Sequence, residues 1–226
     1  MKHQQSKSNI DAVLLGSIGV VADTSDMQRR AFNAAFAEVG LDWFWKTEQY
    51  KALLRKPGGR KRIEDYGVAR GESVDATALH RRKSEIFQQM IAVEGLSLRP
   101  GVETLVQMAR AGDIRLAWIT CTLRASVDAY LEALGDSLSG SDFALITDGT
   151  MVPNAKPDPA IYRFALDRLS LPADAVVAVE DTPECLASAS AAGIDCIAFP
   201  NALNENVDFP GARAVVDRLT PATLGL

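Results

Sequence analysis

The chain has 226 residues, of which 47% are hydrophobic and 23% charged, with 24 basic and 29 acidic side chains and a formal net charge of −5. This composition suits a globular chain with one sizeable core, or a core and a small second domain. The acidic balance argues against a general nucleic-acid-binding protein, and no apolar run approaches the ~18 residues of a membrane span.

The cysteine content and the N-terminal residues indicate the cellular compartment of the protein. The three cysteines are Cys121, Cys185 and Cys196, and only two histidines accompany them. An odd number without CxxC spacing argues against a disulfide framework and a structural zinc site. Lys2 and Lys7 precede the apolar stretch Ala12–Ala22, which imitates a secretory signal, but Asp11 abuts that stretch and glycines interrupt it. We therefore expect a reducing, cytoplasmic environment.

Short apolar or β-branched runs alternate with longer helical patterns along the chain. The predicted strands are Ala12–Leu15, Arg115–Ile119, Phe143–Thr147, Val176–Glu180 and Cys196–Phe199. This alternation predicts an α/β fold with a Rossmann-like parallel sheet flanked by helices. Between the last two strands, Thr182 and Pro183 mark the start of a helix and Gly193 follows its end.

The segment between the first two strands breaks the alternation. It shows helical patterns at Met27–Val39, Thr47–Leu54 and Val74–Val93 and no convincing strand. We predict an inserted helical cap domain at 25–96 and a core domain formed by 1–24 and 97–226. The insertion carries 13 basic and 10 acidic residues, and the rest of the chain carries 11 and 19. A basic cap and an acidic core suit an anionic substrate, although two solvated surfaces of different charge explain the same counts.

Polar residues follow three of the predicted strands. They are Thr120, Lys156 within Ala155–Tyr162, and the pair Glu180–Asp181. Their order and spacing resemble the haloacid dehalogenase superfamily of phosphatases and phosphomutases, whose inserted helical domain is a cap. Further matches resemble its CbbY-like branch: Gly40–Trp43, Gly58–Ile63, Leu79–Lys83, Leu98–Val102 and Asp208–Ala212. The resemblance covers about 11–219 and implies a sugar-phosphate phosphatase of the type that hydrolyses xylulose 1,5-bisphosphate.

The first motif of that superfamily is missing from this chain. Members carry Asp-x-Asp-Gly after the first strand, where the first Asp attacks phosphorus and the second donates a proton to the leaving group. The aligned positions are Gly16 and Ile18, so the nucleophile and the acid are both lost. Ser17 lies between them, and strand alternation predicts that its side chain points away from their side.

The resemblance assigns roles to the residues that remain. Thr120 and Lys156 would contact the phosphate as catalytic residues, and Glu180 and Asp181 would hold Mg²⁺ together with the backbone carbonyl of Ile18. Because the carboxylate at the nucleophile position is missing, we expect Mg²⁺ binding to be weak or lost. Each residue also has a structural explanation, as a turn residue, a solvated lysine or a helix-terminal charge.

A basic run lies in the predicted cap. Lys51–Arg62 contains six basic residues and no acidic one, and Pro57–Gly59 predicts a tight turn. Backbone N–H groups and guanidinium groups suit a phosphate, and the resemblance implies the distal phosphate of the substrate at this run. The predicted binding residues are Arg60, Lys61, Arg62 and Lys83, with His80 nearby on the same predicted helix as Lys83. A solvated charged face is the alternative interpretation.

The leading hypothesis is a CbbY-like phosphatase homologue that has lost its catalytic aspartates, a catalytically impaired pseudoenzyme that binds a phosphorylated sugar or a similar small anion. One alternative is a weak Mg²⁺-dependent phosphatase that activates water directly. Another is a non-catalytic interaction module with a protein partner. No nucleic acid and no membrane is expected among the partners.

Overall fold

The computed structural model describes residues 10–54 and 58–226. The chain divides into two compact units. The part up to Asp23 together with Leu96–Leu226 forms the sheet unit, and Thr24–Gly95 forms the helical unit. Over the described residues, no helix has the length and apolar character that crossing a membrane requires.

Over its described residues, the sheet unit contains six parallel strands. They are β1 (Ala12–Leu15), β2 (Arg115–Trp118), β3 (Leu145–Ile146), β4 (Val176–Glu180), β5 (Asp195–Ala198) and β6 (Ala214–Val215). Their order in the sheet is β3-β2-β1-β4-β5-β6. Every residue of β1 and β4 is buried, as expected for central strands of a parallel sheet covered on both faces.

Helices are distributed between the two units. The sheet unit has α1 (Ile18–Val21), α6 (Val102–Ala111), α7 (Arg124–Leu134), α8 (Ala160–Leu169), α9 (Pro183–Ala191) and α10 (Pro221–Leu224). The helical unit has α2 (Ser25–Glu38), α3 (Thr47–Leu54), α4 (Gly59–Arg70) and α5 (Ala76–Glu94). The core of the helical unit is aromatic: the ring of Trp45 lies 4.9 Å from that of Phe32 and 4.8 Å from that of Phe36.

The strand order reverses at β1, which pairs with β2 on one side and β4 on the other. In doubly wound sheets, ligands bind outside the carboxyl ends of the strands at such a reversal. After β1 the chain turns at once, because the Ser17 hydroxyl accepts a hydrogen bond from the Gly19 N–H and caps α1. After β4, Thr182 caps α9 in the same way by accepting from the Cys185 N–H.

The sequence-based prediction of a Rossmann-like α/β fold is confirmed. Strands β1 and β4 have the predicted bounds, and the helix after Thr182 begins at Pro183. The sequence pattern does not indicate strand β6 or helix α4. The Gly58–Gly59 pair and the basic run favour a loop, whereas Gly58, with φ of 93°, directly precedes a helix. Residues 55–57, which include part of the predicted turn, lie outside the described residues.

Candidate functional site

The centre of the candidate site is the carboxylate of Glu180, at the end of β4. Glu180 is fully buried. Its Oε1 accepts hydrogen bonds from the Lys156 ammonium and the Tyr162 hydroxyl, and its Oε2 accepts from the Ser17 N–H at 3.3 Å. Lys156 also donates to the backbone carbonyl of Ile119 at 2.7 Å. Both oxygens of Glu180 are therefore occupied by donors from the protein itself.

Electrostatics favour the protonated forms of Lys156 and Tyr162. Burial opposes the charged form of Lys156, but the adjacent Glu180 carboxylate outweighs that effect, so the pKa of Lys156 lies above its ordinary value. Burial and the same carboxylate raise the pKa of Tyr162 well above its ordinary value. Lys156 thus stays charged and Tyr162 stays a hydrogen-bond donor at neutral pH.

The backbone at Gly16 faces the Glu180 carboxylate. A Cβ placed on Gly16 would lie 2.1 Å from the carboxyl carbon of Glu180 and 2.1 Å from its Oε2. No non-bonded pair approaches so closely, so the carboxylate fills the space where a side chain at position 16 would begin. A Cβ on Gly19 would likewise lie 1.9 Å from Oδ2 of Asp181. The two glycines leave room for the two carboxylates.

Asp181 is also satisfied by side chains of the protein. Its Oδ1 accepts from the Ser17 hydroxyl at 2.6 Å and its Oδ2 from the Asn201 amide at 3.2 Å. Burial and then the neighbouring Glu180 charge raise the pKa of Asp181 to about 6. The expectation that Ser17 points away from the site is wrong, because β1 ends at Leu15 and strand alternation does not extend to Ser17.

Arg99 fixes the turn that carries the two glycines. Its guanidinium donates to the backbone carbonyls of Gly19 at 2.7 Å, Phe199 at 2.8 Å and Pro200 at 2.6 Å. The carbon at its centre also lies 3.4 Å from the centroid of the Phe199 ring. Burial lowers the pKa of Arg99 from its ordinary value. This side chain ties the turn after β1 to the segment after β5.

Thr120 lies after β2 and is buried. Its hydroxyl accepts from the Thr122 N–H at 3.0 Å, and its own N–H donates to the Thr147 hydroxyl at 2.9 Å. The structure thus brings Thr120, Lys156, Glu180 and Asp181 to the carboxyl ends of neighbouring strands, as the sequence indicates. Their roles in catalysis and metal binding stay predictions.

A second cluster lies in the helical unit around Lys83. The Lys83 ammonium donates to Oε1 of Gln28 and lies 4.7 Å from the ring centroid of Phe32 and 5.0 Å from that of Phe87. The residue is only 7% exposed. Burial, and then the charge of Arg62, lower the pKa of Lys83 to about 7. Among the described residues, no carboxylate lies within ion-pair distance of Lys83.

The other predicted cap residues divide into two groups. Arg62 is buried, donates to the Leu53 carbonyl at 3.0 Å and lies 5.6 Å from the Tyr50 ring centroid. Arg60 and Lys61 extend into solvent, where they pair with carboxylates one turn along α4. Burial, and then the charges of Lys83, Arg62 and Arg60, lower the pKa of His80. Arg62, Lys83 and His80 are therefore the members that come together inside the unit.

Comparisons with known proteins identify the family of this chain. The sequence model of the haloacid dehalogenase-like hydrolase family matches residues 19–199. The chain is 38% identical over 213 residues to protein CbbY of Cereibacter sphaeroides, covering 92% of each. The chain belongs to this family, in its CbbY-like branch. The matched range begins after Gly16 and Ile18, the two positions that the resemblance aligns with the aspartates of the family's first motif.

Solved CbbY structures share the fold. The crystal structure of CbbY from Rhodobacter sphaeroides in complex with phosphate is 37% identical and superposes with a TM-score of 0.81, covering 92% of this chain and 94% of that one. A point mutant of that protein, in complex with xylulose 1,5-bisphosphate, has the same identity, coverage and TM-score. The likeness therefore extends over both units of this CbbY-like chain.

Haloacid dehalogenase-like hydrolases generally use Mg²⁺, so the donor set of this chain can be tested against that ion. Within the described residues, one group of three has ligand atoms within 4.8 Å of one another: Glu180, Asp181 and Cys185. Mg²⁺ demands near-octahedral coordination by oxygen, whereas one of these three groups is a thiol and the Lys156 ammonium lies against the Glu180 carboxylate. The Ile18 carbonyl accepts from the Ala22 N–H at 2.8 Å. As arranged, this set does not fit Mg²⁺.

Burial, and then the Glu180 charge, raise the pKa of the Cys185 thiol, which disfavours the thiolate that efficient nucleophilic attack requires.

Sequence reasoning missed three polar partners of the site. Tyr162 ends the Lys156 motif and donates to Glu180. Its place six residues after Lys156 in that motif is the one sequence signal for this contact. Strand alternation hid the role of Ser17. Asn201 lies 20 residues from Asp181, and no motif links the two residues.

We predict that substitutions at positions 16 and 180 have strongly non-additive effects on the free energy of unfolding. Gly16→Asp in the natural chain should lower stability by about 1–3 kcal/mol, because the new side chain overlaps the Glu180 carboxylate. In a Glu180→Ala background the same change should raise stability, because the introduced carboxylate then supplies the counter-charge that Lys156 has lost. Urea denaturation of the four chains measures both effects.

Gly140→Ala is the matched control, because a Cβ there meets nothing closer than 3.7 Å and should leave stability nearly unchanged. Equal effects of Gly16→Asp in the two backgrounds would show that Glu180 moves aside freely and would refute the coupling.

Proposed function

We propose that this CbbY-like chain binds a phosphorylated sugar or a similar small phosphate ester and does not hydrolyse it. The observation that carries the proposal is the position of Glu180. Its carboxylate fills the space in which a nucleophilic side chain at position 16 would begin, and it is bound by Lys156, Tyr162 and the Ser17 N–H. Ion pairing with Lys156 and hydrogen bonds from Tyr162 and the Ser17 N–H weaken Glu180 as a nucleophile, so it does not take over that role.

Binding is supported by the cluster in the helical unit. Lys83 is a buried cation next to Gln28, with Arg62 close enough to lower its pKa and His80 on the same helix. Burying a charge without a counter-ion costs folding free energy, and a bound phosphate supplies that counter-ion. The complexes of the related CbbY structures, with phosphate and with xylulose 1,5-bisphosphate, support the ligand class.

We also propose that the chain does not retain Mg²⁺ at Glu180 and Asp181. The hydrogen bonds to all four carboxylate oxygens support this, and so does the positive charge that Lys156 already places against Glu180. A reducing, cytoplasmic location is part of the proposal and is supported by three cysteines that form no disulfide.

We predict no phosphate release from xylulose 1,5-bisphosphate or a panel of sugar phosphates with Mg²⁺. Loss of a nucleophile that acts with its partner typically costs on the order of 10⁴–10⁶ in rate. The assay uses enzyme in excess over substrate, so that a single turnover is visible, with CbbY of Cereibacter sphaeroides in parallel. Reproducible Mg²⁺-dependent release proportional to enzyme would instead establish a weak phosphatase.

The second prediction concerns the metal. Millimolar Mg²⁺ and an excess of EDTA should both leave the melting temperature unchanged, because a metal that does not bind the folded state does not stabilise it. NaCl at matched ionic strength is the control for screening. A saturable rise in melting temperature with Mg²⁺ concentration would contradict the proposed loss of the metal.

The third prediction separates stability from binding. Lys83→Met should raise the melting temperature by roughly 3 °C or more, because methionine keeps the contacts with Phe32 and Phe87 without a charge to desolvate. The same variant should lose binding of sugar phosphates, measured by calorimetry.

Lys46→Met is the matched control for Lys83→Met, since Lys46 is an exposed lysine of the same unit and its loss should change neither quantity. A Lys83→Met chain that melts lower and binds normally would make Lys83 structural. If the natural chain binds no sugar phosphate at all, the interaction module becomes the better interpretation.

A further inference from the structure

Lys83 lies in the interior of the helical unit without an acidic partner. Its amine contacts the amide oxygen of Gln28 and the rings of Phe32 and Phe87, all on helices α2 and α5 of the same unit. Within the described part of the chain, no carboxylate lies at ion-pair distance, and the charge that acts on Lys83 is the positive charge of Arg62 on α4. The fold thus disfavours the ammonium form and supplies no counter-charge for it.

These surroundings make Lys83 a different reagent from an exposed lysine. An amine attacks an electrophile only in its neutral form, and desolvation beside another cation increases the neutral fraction. With a pKa of about 7, about three quarters of Lys83 is neutral at a pH of about 7.5, against about one in a thousand for a solvated lysine. His80, on the same helix, faces the same charges, and burial together with Lys83, Arg62 and Arg60 lowers its pKa.

The packing around Lys83 restricts which electrophile can add. The residue is only 7% exposed, and an amide and two aromatic rings surround its amine, so the reagent must be small. An imine formed with a carbonyl compound takes up a proton and restores the positive charge that the surroundings disfavour. A carbamate formed with CO₂ is negative. Arg62 provides a cation for it, and the Gln28 amide, once turned, provides N–H donors.

We propose that Lys83 is a site of reversible carbamate formation with CO₂. The lone pair of the amine nitrogen forms a bond to the carbon of CO₂, and the electron pair of one C=O π bond moves onto oxygen. The nitrogen then releases one proton to solvent, so that amine and CO₂ give carbamate and a proton without any change in oxidation state. The proposed phosphate binding uses the charged lysine and carbamate formation uses the neutral one. The two events therefore exclude each other at Lys83, and neither proposal rests on the other.

The first test detects the new bond between carbon and nitrogen. The full chain is labelled with ¹⁵N at the lysine side-chain nitrogen alone and sealed with ¹³C-bicarbonate at a pH of about 7.5. A lysine carbamate then shows a one-bond coupling between ¹³C and ¹⁵N, which bicarbonate, CO₂ and a carbamate on the α-amino group do not show. We expect one coupled signal, which is lost on removal of CO₂ and in Lys83→Met. The signal should remain in Lys46→Met, where an exposed lysine of the same unit is changed.

A second test changes the cation that faces the carbamate. Arg62→Gln should lower the coupled signal at least about fivefold, because loss of the Arg62 charge both raises the pKa of Lys83 and removes the partner of the carbamate. Arg60→Gln is the matched control on the same helix. Arg60 is exposed and paired with Glu64, so its loss should change the signal less than about twofold. Equal signals from Arg62→Gln and the natural chain would contradict the proposal.

The natural chain alone also decides the question, whether or not the variants fold. Triethyloxonium, added in the presence of CO₂, converts a carbamate to a stable ethyl ester that peptide mass spectrometry locates. We expect this ester on Lys83 and a CO₂-dependent coupled signal from the same sample. Absence of the coupled signal, or ethyl esters on other lysines and not on Lys83, overturns the proposal. Calorimetry with sugar phosphates tests the proposed binding function separately.

Discussion

The buried ion pair between Glu180 and Lys156 is the interaction on which the rest of the site depends. Removing one member of a buried pair leaves an uncompensated charge and typically costs about 3–5 kcal/mol. Glu180 also receives the Ser17 N–H, so the pair fixes where the chain turns after β1. Once buried, each member needs the other for stability, so the presence of Lys156 and Glu180 does not by itself indicate catalysis.

The glycines beside the carboxylates complete this arrangement. Gly16 and Gly19 bring their backbones close to Glu180 and Asp181, at distances that no Cβ would permit. A glycine at position 16 leaves a small volume next to a buried carboxylate, and the Glu180 side chain from the neighbouring strand fills that volume without a cavity. The glycine at position 16 and the present position of Glu180 are therefore two aspects of one packing arrangement.

The sequence predicted the features that depend on local pattern. Four- and five-residue apolar runs located β1 and β4, and motif spacing brought Thr120, Lys156, Glu180 and Asp181 to one edge of the sheet. Strand β6 has two residues, too few to show a pattern. The contacts of Ser17, and the direction taken by the Glu180 side chain, depend on which donors surround them in space. No residue spacing in the sequence predicts these contacts or this side-chain direction.

The two units handle buried charge in different ways, and the difference bears on function. In the sheet unit the buried charges of the site have internal partners, so an incoming anion competes with contacts that are already made. In the helical unit the Lys83 ammonium is buried against an amide and aromatic rings, and burial depresses its pKa to about 7. An anion bound there would favour the charged form of Lys83. The lysine would therefore take up a proton on binding near neutral pH. Under the proposed function, the folding free energy that the buried Lys83 charge costs is recovered as ligand affinity, because a ligand that binds only the folded state stabilises it.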